Sequence, residues 1–272
     1  MSYLENLYGL KGKVAILTGA GALGAQMATG LANAGVKVAI LNRTGQKAFD
    51  LAKKLTDDGL EAKGYACDVL SEERLLELKE EILSDWGKID ILLNGAGGNM
   101  PGATITPDQS VFDIKVDDFK RVMDLNLVGS LLPSLVFGKT IAEKGGVIIN
   151  VSSVTSTQAL TRVFGYSASK AGIDNMTRWF ATELTQRYGD KVRVNAIVPG
   201  FFIGEQNRAL LTNPDGSLTD RGQKIINNTP MGRFGELNEL NGTLLWLVGD
   251  GARFVNGITV PVDGGFSAFS GI

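Results

Sequence analysis

Three residues in the middle of the chain have the types and spacing to move a proton together: Ser153, Tyr166 and Lys170. Tyr166 and Lys170 stand four apart in a run with Ile173, Thr177 and Phe180, a spacing that places them on one face of a helix, one turn apart. That face is otherwise apolar, and a lysine turned inward is rarely kept without a partner or a task. An ammonium one turn from a phenol favours the phenolate, so Lys170 is expected to pull Tyr166 down from about 10 towards neutrality. A phenol so tuned can pass a proton to or from an alcohol or ketone oxygen. Ser153, just beyond the apolar run 147–151, could hydrogen-bond the same oxygen and stabilise charge developing on it. A Tyr-x-x-x-Lys pair alone is a common accident of surface helices, so the elements around it decide its meaning.

The whole chain narrows the chemistry. Its 272 residues, 44% of them hydrophobic, suit a single α/β domain spanning 1–272 with a large core. There is no histidine, which removes Ser-His-Asp hydrolysis and His-ligated zinc, and no metal site is expected. A net charge of −2 makes no electrostatic case for nucleic acid. One cysteine, Cys67, excludes a disulfide within the chain and fits a reducing compartment. Residues 1–13 show no basic segment followed by an apolar run, and no apolar stretch reads as long enough to cross a bilayer. The expectation is a cytoplasmic protein with no membrane partner.

Strands and helices alternate along the chain seven times, the pattern of a parallel sheet with helices on both faces. Residues 13–18 form an apolar run of buried-strand type, followed by Gly19-Ala20-Gly21-Ala22-Leu23-Gly24 and a helix to about Ala34. Glycines in a strand-to-helix turn let backbone approach a pyrophosphate on the helix N-terminus, so Gly19, Gly21, Leu23 and Gly24 are assigned to a dinucleotide. The second strand, 37–41, ends at Asn42-Arg43 rather than at the carboxylate that NAD favours for its ribose hydroxyl. An arginine there accommodates a 2′-phosphate, so the sequence favours NADP(H) over NAD(H), unless Arg43 stacks on the adenine or faces water. A third strand, 62–66, leads to Asp68 and Val69. Asp68 could accept from the adenine amino group or cap the helix 71–86. The fourth strand, 89–93, runs into Asn94-Gly95-Ala96-Gly97-Gly98-Asn99, small residues that suit backbone passing close to the cofactor.

Phe119, Val122, Met123 and Asn126 follow at helical spacing and put Asn126 on a buried face, either satisfied in the core or holding a water that relays protons to Lys170. After the strand 192–197 come Pro199 and Gly200, and the polar, glycine-containing segment 201–228 reads as a lid over the pocket. A last helix, about 236–248, precedes the strand 258–262 and a glycine-rich tail.

These residues together resemble a short-chain dehydrogenase/reductase over essentially the whole chain. The likeness is carried by the glycine turn, Cys67-Asp68-Val69, Asn94-Gly95-Ala96-Gly97, Asn126, Ser153, Tyr166-x-x-x-Lys170, Asn195 to Gly200 and Val262-Asp263-Gly264-Gly265. The resemblance implies a Rossmann fold with a doubly wound, seven-stranded parallel sheet, and an NAD(P)(H)-dependent enzyme interconverting a secondary alcohol and a ketone. It implies a catalytic set of Asn126, Ser153, Tyr166 and Lys170, with cofactor contacts from Asn94, Gly95, Ala96, Tyr166, Lys170, Pro199 and Gly200. It also implies a homotetramer, the long helices containing Asn126 and Tyr166 packing on their copies and the 265–272 tail lying at a further contact. Three departures stand out. The glycine turn is one residue short, with Ala22 near the usual middle glycine; Gly95 replaces a second asparagine; and Gly204 stands where a threonine commonly bonds the carboxamide. A non-enzymatic dinucleotide sensor on this fold typically lacks the tyrosine or lysine, and this chain keeps both.

Within the family, Gly97-Gly98-Asn99 and the runs 201–208, 230–235 and 264–269 look most similar to D-mannonate oxidoreductases, which are taken to interconvert D-mannonate and D-fructuronate, with gluconate 5-dehydrogenases as neighbours. A sugar acid needs a cation for its carboxylate and polar groups for its hydroxyls. Asn99, Ser153, Arg162, Tyr166, Gln206, Asn207 and Arg208 are the expected substrate residues. Phe201, Phe202 and Leu210 keep open an apolar ketone or 3-oxoacyl substrate.

Overall fold

Six runs rich in aliphatic and β-branched residues, and one mixed edge segment, become seven strands: β1 (Val14–Thr18), β2 (Lys37–Asn42), β3 (Ala62–Ala66, the mixed one), β4 (Ile91–Asn94), β5 (Gly146–Val151), β6 (Val192–Pro199) and β7 (Thr259–Val262). In this computed structural model, which describes residues 2–204 and 207–271, they form one sheet in the order β3-β2-β1-β4-β5-β6-β7, every neighbouring pair parallel. All five residues of β1 are buried, because both sheet faces are covered. Alternation along β1 sends Ala15 and Leu17 into one core and Val14 and Ile16 into the other.

The first core is closed by α2 (Ala22–Asn33), α3 (Gly45–Asp57) and α10 (Glu239–Val248), through residues such as Met27, Leu31, Leu55, Leu244 and Leu247. The second is closed by α4 (Glu72–Trp86), α6 (Gly129–Lys144) and α7 (Phe164–Tyr188), through Leu75, Leu78, Ile82, Phe137, Ile141 and Phe180. The doubly wound fold expected from the sequence is the fold observed. Edge strand β3 carries Lys63 and edge strand β7 carries Pro261, residues that discourage pairing with a further strand.

Beyond this frame lie α1 (Tyr3–Tyr8), α5 (Val116–Met123), α8 (Arg208–Leu211) and α9 (Asp220–Asn227). α5 continues through a π-helical turn, Asp124–Val128, into α6. This run from Val116 to Lys144 is long and apolar enough to cross a bilayer, which the sequence reading did not anticipate. In the fold 56% of its apolar window is buried, and it is a core helix packed on α4, α7 and the sheet. The fourth strand begins at Ile91 rather than Ile89, and the Asp90 carboxylate accepts from the Val14 amide at 2.7 Å. The last helix begins at Glu239 rather than Glu236, because the Glu239 carboxylate turns back to accept from the Glu236 amide at 2.8 Å.

The sheet order reverses at β1, which has β2 on one side and β4 on the other. In such sheets the loops leaving the carboxyl ends of those strands part and leave a crevice. Residues 201–204 and 207–228 contribute α8 and α9, a bridge from Phe202 to Gly235 and another from Thr212 to Leu218. The C-terminal tail folds back on the chain: the Asp263 carboxylate accepts from the amides of Gly265 and Ser267, and Phe266 packs edge-on against Phe201 at 5.1 Å.

Candidate active site

A cleft of about 510 Å³ opens at the carboxyl ends of the strands, within the usual size range of small-molecule sites. The turn after β1 forms its floor. Gly19 adopts φ 85°, and a side chain there would come within 2.8 Å of the Ala96 backbone; one at Gly24 would run into the Gly19 carbonyl. Gly21 differs, since a Cβ there would meet nothing within 4 Å. Gly21 is the N-cap of α2 and offers no side chain to its amides, so the start of that helix is open for an anion. The short turn is braced by Asn42, whose Oδ1 accepts from the Ala20 amide at 3.0 Å and whose Nδ2 donates to the Thr44 carbonyl at 2.9 Å. Asn42 thus lines the cleft with its amide group already engaged, while Arg43 and Lys47 bring cations to the same end.

Asp68 and Val69 line the cleft after β3. Asp68 Oδ1 accepts from the Leu70 amide at 3.0 Å, forming the turn into α4, whose cap is Ser71. Gly95 and Ala96 cross beside β1, their amides both donating to Thr18 Oγ1 at 3.2 Å; a Cβ on Gly95 would meet the Thr18 carbonyl, which accounts for glycine here. Asn94 points away from the cleft, so the expected cofactor contact is not one its side chain makes. Its Nδ2 donates to Ser134 and Asn150, both at 2.8 Å, and Asn150 donates in turn to Thr177 at 2.8 Å. These buried polar groups form a spine behind the catalytic wall.

That wall is built from the end of β5 and the first turns of α7. Phe164 stacks on Phe119, with centroids 5.4 Å apart, and fixes where α7 begins. Tyr166 and Lys170 follow one turn apart, both lining the cleft with Ser153. Lys170 is 4% exposed and donates to the Val151 carbonyl at 2.7 Å; Ser152 donates to the Lys170 carbonyl at 3.3 Å. Ser153 Oγ accepts from the Thr155 amide at 3.3 Å, which fixes its rotamer at the head of a short turn.

The electrostatics differ from the sequence expectation. Burial pushes the Tyr166 phenol up, and contact with the Ser153 hydroxyl lowers it in part. The Lys170 ammonium lies against the tyrosine ring, 5.4 Å from its centroid, with a proton committed to Val151. Burial pushes Lys170 down to about 8, opposed by the Asp174 carboxylate one turn further on. In the protein alone, the lysine therefore does not bring the tyrosine towards neutrality.

Asn126 is fully buried in the π-helical turn. Its Oδ1 accepts from the Gly98 amide at 3.0 Å, and its Nδ2 donates to the carbonyls of Gly98 at 2.8 Å and Val122 at 2.9 Å. The amide has protein partners on both its oxygen and its nitrogen, the first of the two readings the sequence left open. It clamps the Gly97-Gly98 backbone over the lysine. A Cβ on Gly97 would lie 2.6 Å from Asn126 Oδ1 and 3.5 Å from Lys170 Nζ, so no larger residue fits.

The expected substrate residues are less unified. Asn99 is exposed and donates to Thr104 at 2.6 Å. Asn207 lines the cleft, but its amide accepts from the Gly204 amide and donates to the Phe202 carbonyl, both at 2.8 Å, so it shapes the loop. Arg208 is exposed on α8, and Gln206 lies outside the described residues. Arg162 is partly buried in the turn before α7. Pro199 and Gly200 line the cleft as expected. Sequence reasoning passed over Lys47 and Leu125, which also line it, as do Cys67 and Phe202.

Comparison with known proteins agrees with this geometry. The family model described as "Enoyl-(Acyl carrier protein) reductase" matches residues 19–267. A Bacillus subtilis protein named "Uncharacterized oxidoreductase UxuB" is 46% identical, with 97% of this chain and 98% of that one covered. The crystal structure of a "putative D-Mannonate oxidoreductase" from Haemophilus influenza with bound NAD superposes with a TM-score of 0.90 at 42% identity, over 97% of this chain and 98% of that one. A gluconate 5-dehydrogenase from Burkholderia cenocepacia in complex with NADP and tartrate gives a TM-score of 0.85 at 30% identity, over 98% and 99%.

Proposed function

The chain belongs to the short-chain dehydrogenase/reductase family, an NAD(P)-dependent group of oxidoreductases acting on alcohols, and from that premise we propose that it interconverts a secondary alcohol and a ketone on a sugar acid of the D-mannonate/D-fructuronate type. The observation that carries the reaction is the convergence of Ser153, Tyr166 and Lys170 on one wall of a cleft whose floor is the glycine turn. The residues present fit a dinucleotide: α2 starts without a side-chain cap, and the Gly21 Cβ direction faces open space. Gly19, Gly21, Leu23 and Gly24 would hold its pyrophosphate, Arg43 the adenosine phosphate of NADP(H), and Gly95 and Ala96 its central part. The nicotinamide supplies the hydride in reduction and accepts it in oxidation.

The rest of the chemistry belongs to the chain. Tyr166 gives its hydroxyl proton to the ketone oxygen in reduction and takes a proton from the alcohol in oxidation. Ser153 donates a hydrogen bond to the same oxygen and stabilises charge developing there. Lys170 keeps a positive charge beside the tyrosine, and Asn126 holds the Gly97-Gly98 strip that walls the lysine in. Segment 201–228 acts as the substrate lid. The sugar-acid reading is supported by the relatives named above and by Arg162, four residues before Tyr166. The enzyme works in the cytoplasm as a homotetramer, burying exposed apolar residues such as Leu135 and Trp179, 56% and 60% exposed in the single chain. A monomeric mass by light scattering at micromolar concentration would refute the assembly.

A spectrophotometric screen tests the substrate class, following reduced-cofactor absorbance with both nicotinamides against sugar acids, neutral polyols and apolar ketones. Highest kcat/KM on a sugar acid is expected. Highest kcat/KM on an apolar ketone would replace the reading.

A further inference from the structure

We propose that Arg162 and Arg221 together form a two-guanidinium clamp for the substrate carboxylate, joining the loop before the catalytic helix to α9. This rests on the sugar-acid reading and extends it by naming Arg221 and a shared site. Arg162 occupies a turn at φ 78°, the one non-glycine residue at positive φ among the described residues. Backbone of that kind is sparsely populated and persists where its surroundings impose it. Here the Arg162 carbonyl accepts from the Ile105 amide at 3.0 Å, so the 99–106 loop holds the turn in place.

The second guanidinium arrives from the lid. Arg221, near the start of α9, donates from Nη1 to Thr161 Oγ1 at 3.4 Å, on the residue adjacent to Arg162. Both arginines are partly buried, and neither forms an ion pair among the described residues. Arg233 shows the contrast, reaching both Glu239 oxygens at 2.6 and 2.8 Å. Burial and the neighbouring Arg162 charge both make protonation of Arg221 harder. Two cations held at one turn without an acid repel, and a bound anion converts that repulsion into attraction. A planar guanidinium matches a carboxylate with two parallel hydrogen bonds, and two of them can share one. Neither arginine lines the cleft itself, but Arg162 precedes Tyr166 by four residues, so the clamp would hold the carboxylate outside the cleft while the alcohol or ketone of the same molecule reaches the tyrosine. Arg208 is exposed on α8.

The test uses full-length enzyme with saturating cofactor and compares kcat/KM for D-mannonate with that for a neutral six-carbon polyol. Arg162→Met, Arg221→Met, Arg221→Gln and the double variant are measured beside Thr161→Val, which removes only the loop hydrogen bond. Cofactor titration confirms that each variant is folded. Each arginine variant is expected to lose at least ten-fold more on the acid than on the polyol, mainly through KM. The double variant should lose less than the product of the two single losses, because one carboxylate bridges both. Thr161→Val should lose less than three-fold. If Thr161→Val matches Arg221→Met, or the arginine variants keep wild-type preference for the acid, the clamp is wrong while the sugar-acid reading stands. If the wild type shows no preference for the acid, that reading fails and takes the clamp with it.

Discussion

The catalytic wall and the substrate rim of this enzyme are built on opposite terms. Behind the wall every strut is buried and hydrogen-bonded: Asn126 on Gly98, Ser130 on the Asn126 carbonyl, Ser134 on the Ser130 carbonyl, then Asn94, Asn150 and Thr177. At the rim, Arg162 sits in a turn and Arg221 reaches the adjacent Thr161 from the first turn of α9, Asn99 is exposed, and Asn207 is occupied in shaping its own turn. The difference teaches a division of labour. A proton carrier must be held within a few tenths of an ångström on a rigid element, whereas a group that selects substrates can sit on movable loops. Changes in the wall should therefore fall on every substrate alike, and changes in the rim should sort substrates by charge.

The largest effects should come from the wall. Tyr166→Phe removes only the proton carrier, so turnover should fall below detection on acid and neutral substrates alike, with cofactor affinity within a few-fold by fluorescence titration. Ser153→Ala should lower kcat by about 10² to 10³, the usual loss for one donor to a developing oxyanion. Substrate-dependent losses in either variant would break the division.

A smaller effect belongs to the cofactor's far end. Arg43→Ala should weaken NADP(H) about ten-fold or more and NAD(H) little, a cost of about 1.5 to 3 kcal/mol for one charge-assisted contact. Equal losses in calorimetric titration of both cofactors would show that Arg43 only packs on the adenine.

The legibility of the site follows the same division. Ser153, Tyr166 and Lys170 could be read because strand ends and a four-residue helical spacing are local signals, and the glycine turn because its neighbours are a strand and a helix. The parallel sheet was legible from apolar runs at regular intervals. Several features depend on contacts between distant segments and leave no periodic trace. Asn94 turns inward because Ser134 and Asn150 wait there. Asn126 is consumed by Gly98 because a π-helical turn aims it at that strip. The lysine lies on the tyrosine ring because the Val151 carbonyl claims its proton. Arg221 is invisible beside Arg162 until α9 folds back to Thr161.

The smallest expected effect is on stability. The folded-state pKa of Lys170, about 8, lies below the ordinary lysine value of 10.5. The buried charge therefore costs stability fully below about pH 8, and that cost is relieved as pH rises towards the unfolded value, because the unfolded chain then binds more protons than the folded one. Between pH 8 and 10 the unfolding free energy of wild type should rise relative to Lys170→Met by on the order of 1 to 3 kcal/mol. A constant difference in denaturant titrations across that range would show that the ammonium is not penalised.

The most direct test of the central claim uses D-mannonate carrying deuterium on its carbinol carbons, incubated with oxidised nicotinamide cofactor and wild-type enzyme. The account predicts reduced cofactor that carries one deuterium on its nicotinamide ring, formed in equal amount with the ketone, and none with Tyr166→Phe. Tight cofactor binding without reduced cofactor from mannonate or any other secondary alcohol would contradict it and leave a dinucleotide sensor in its place.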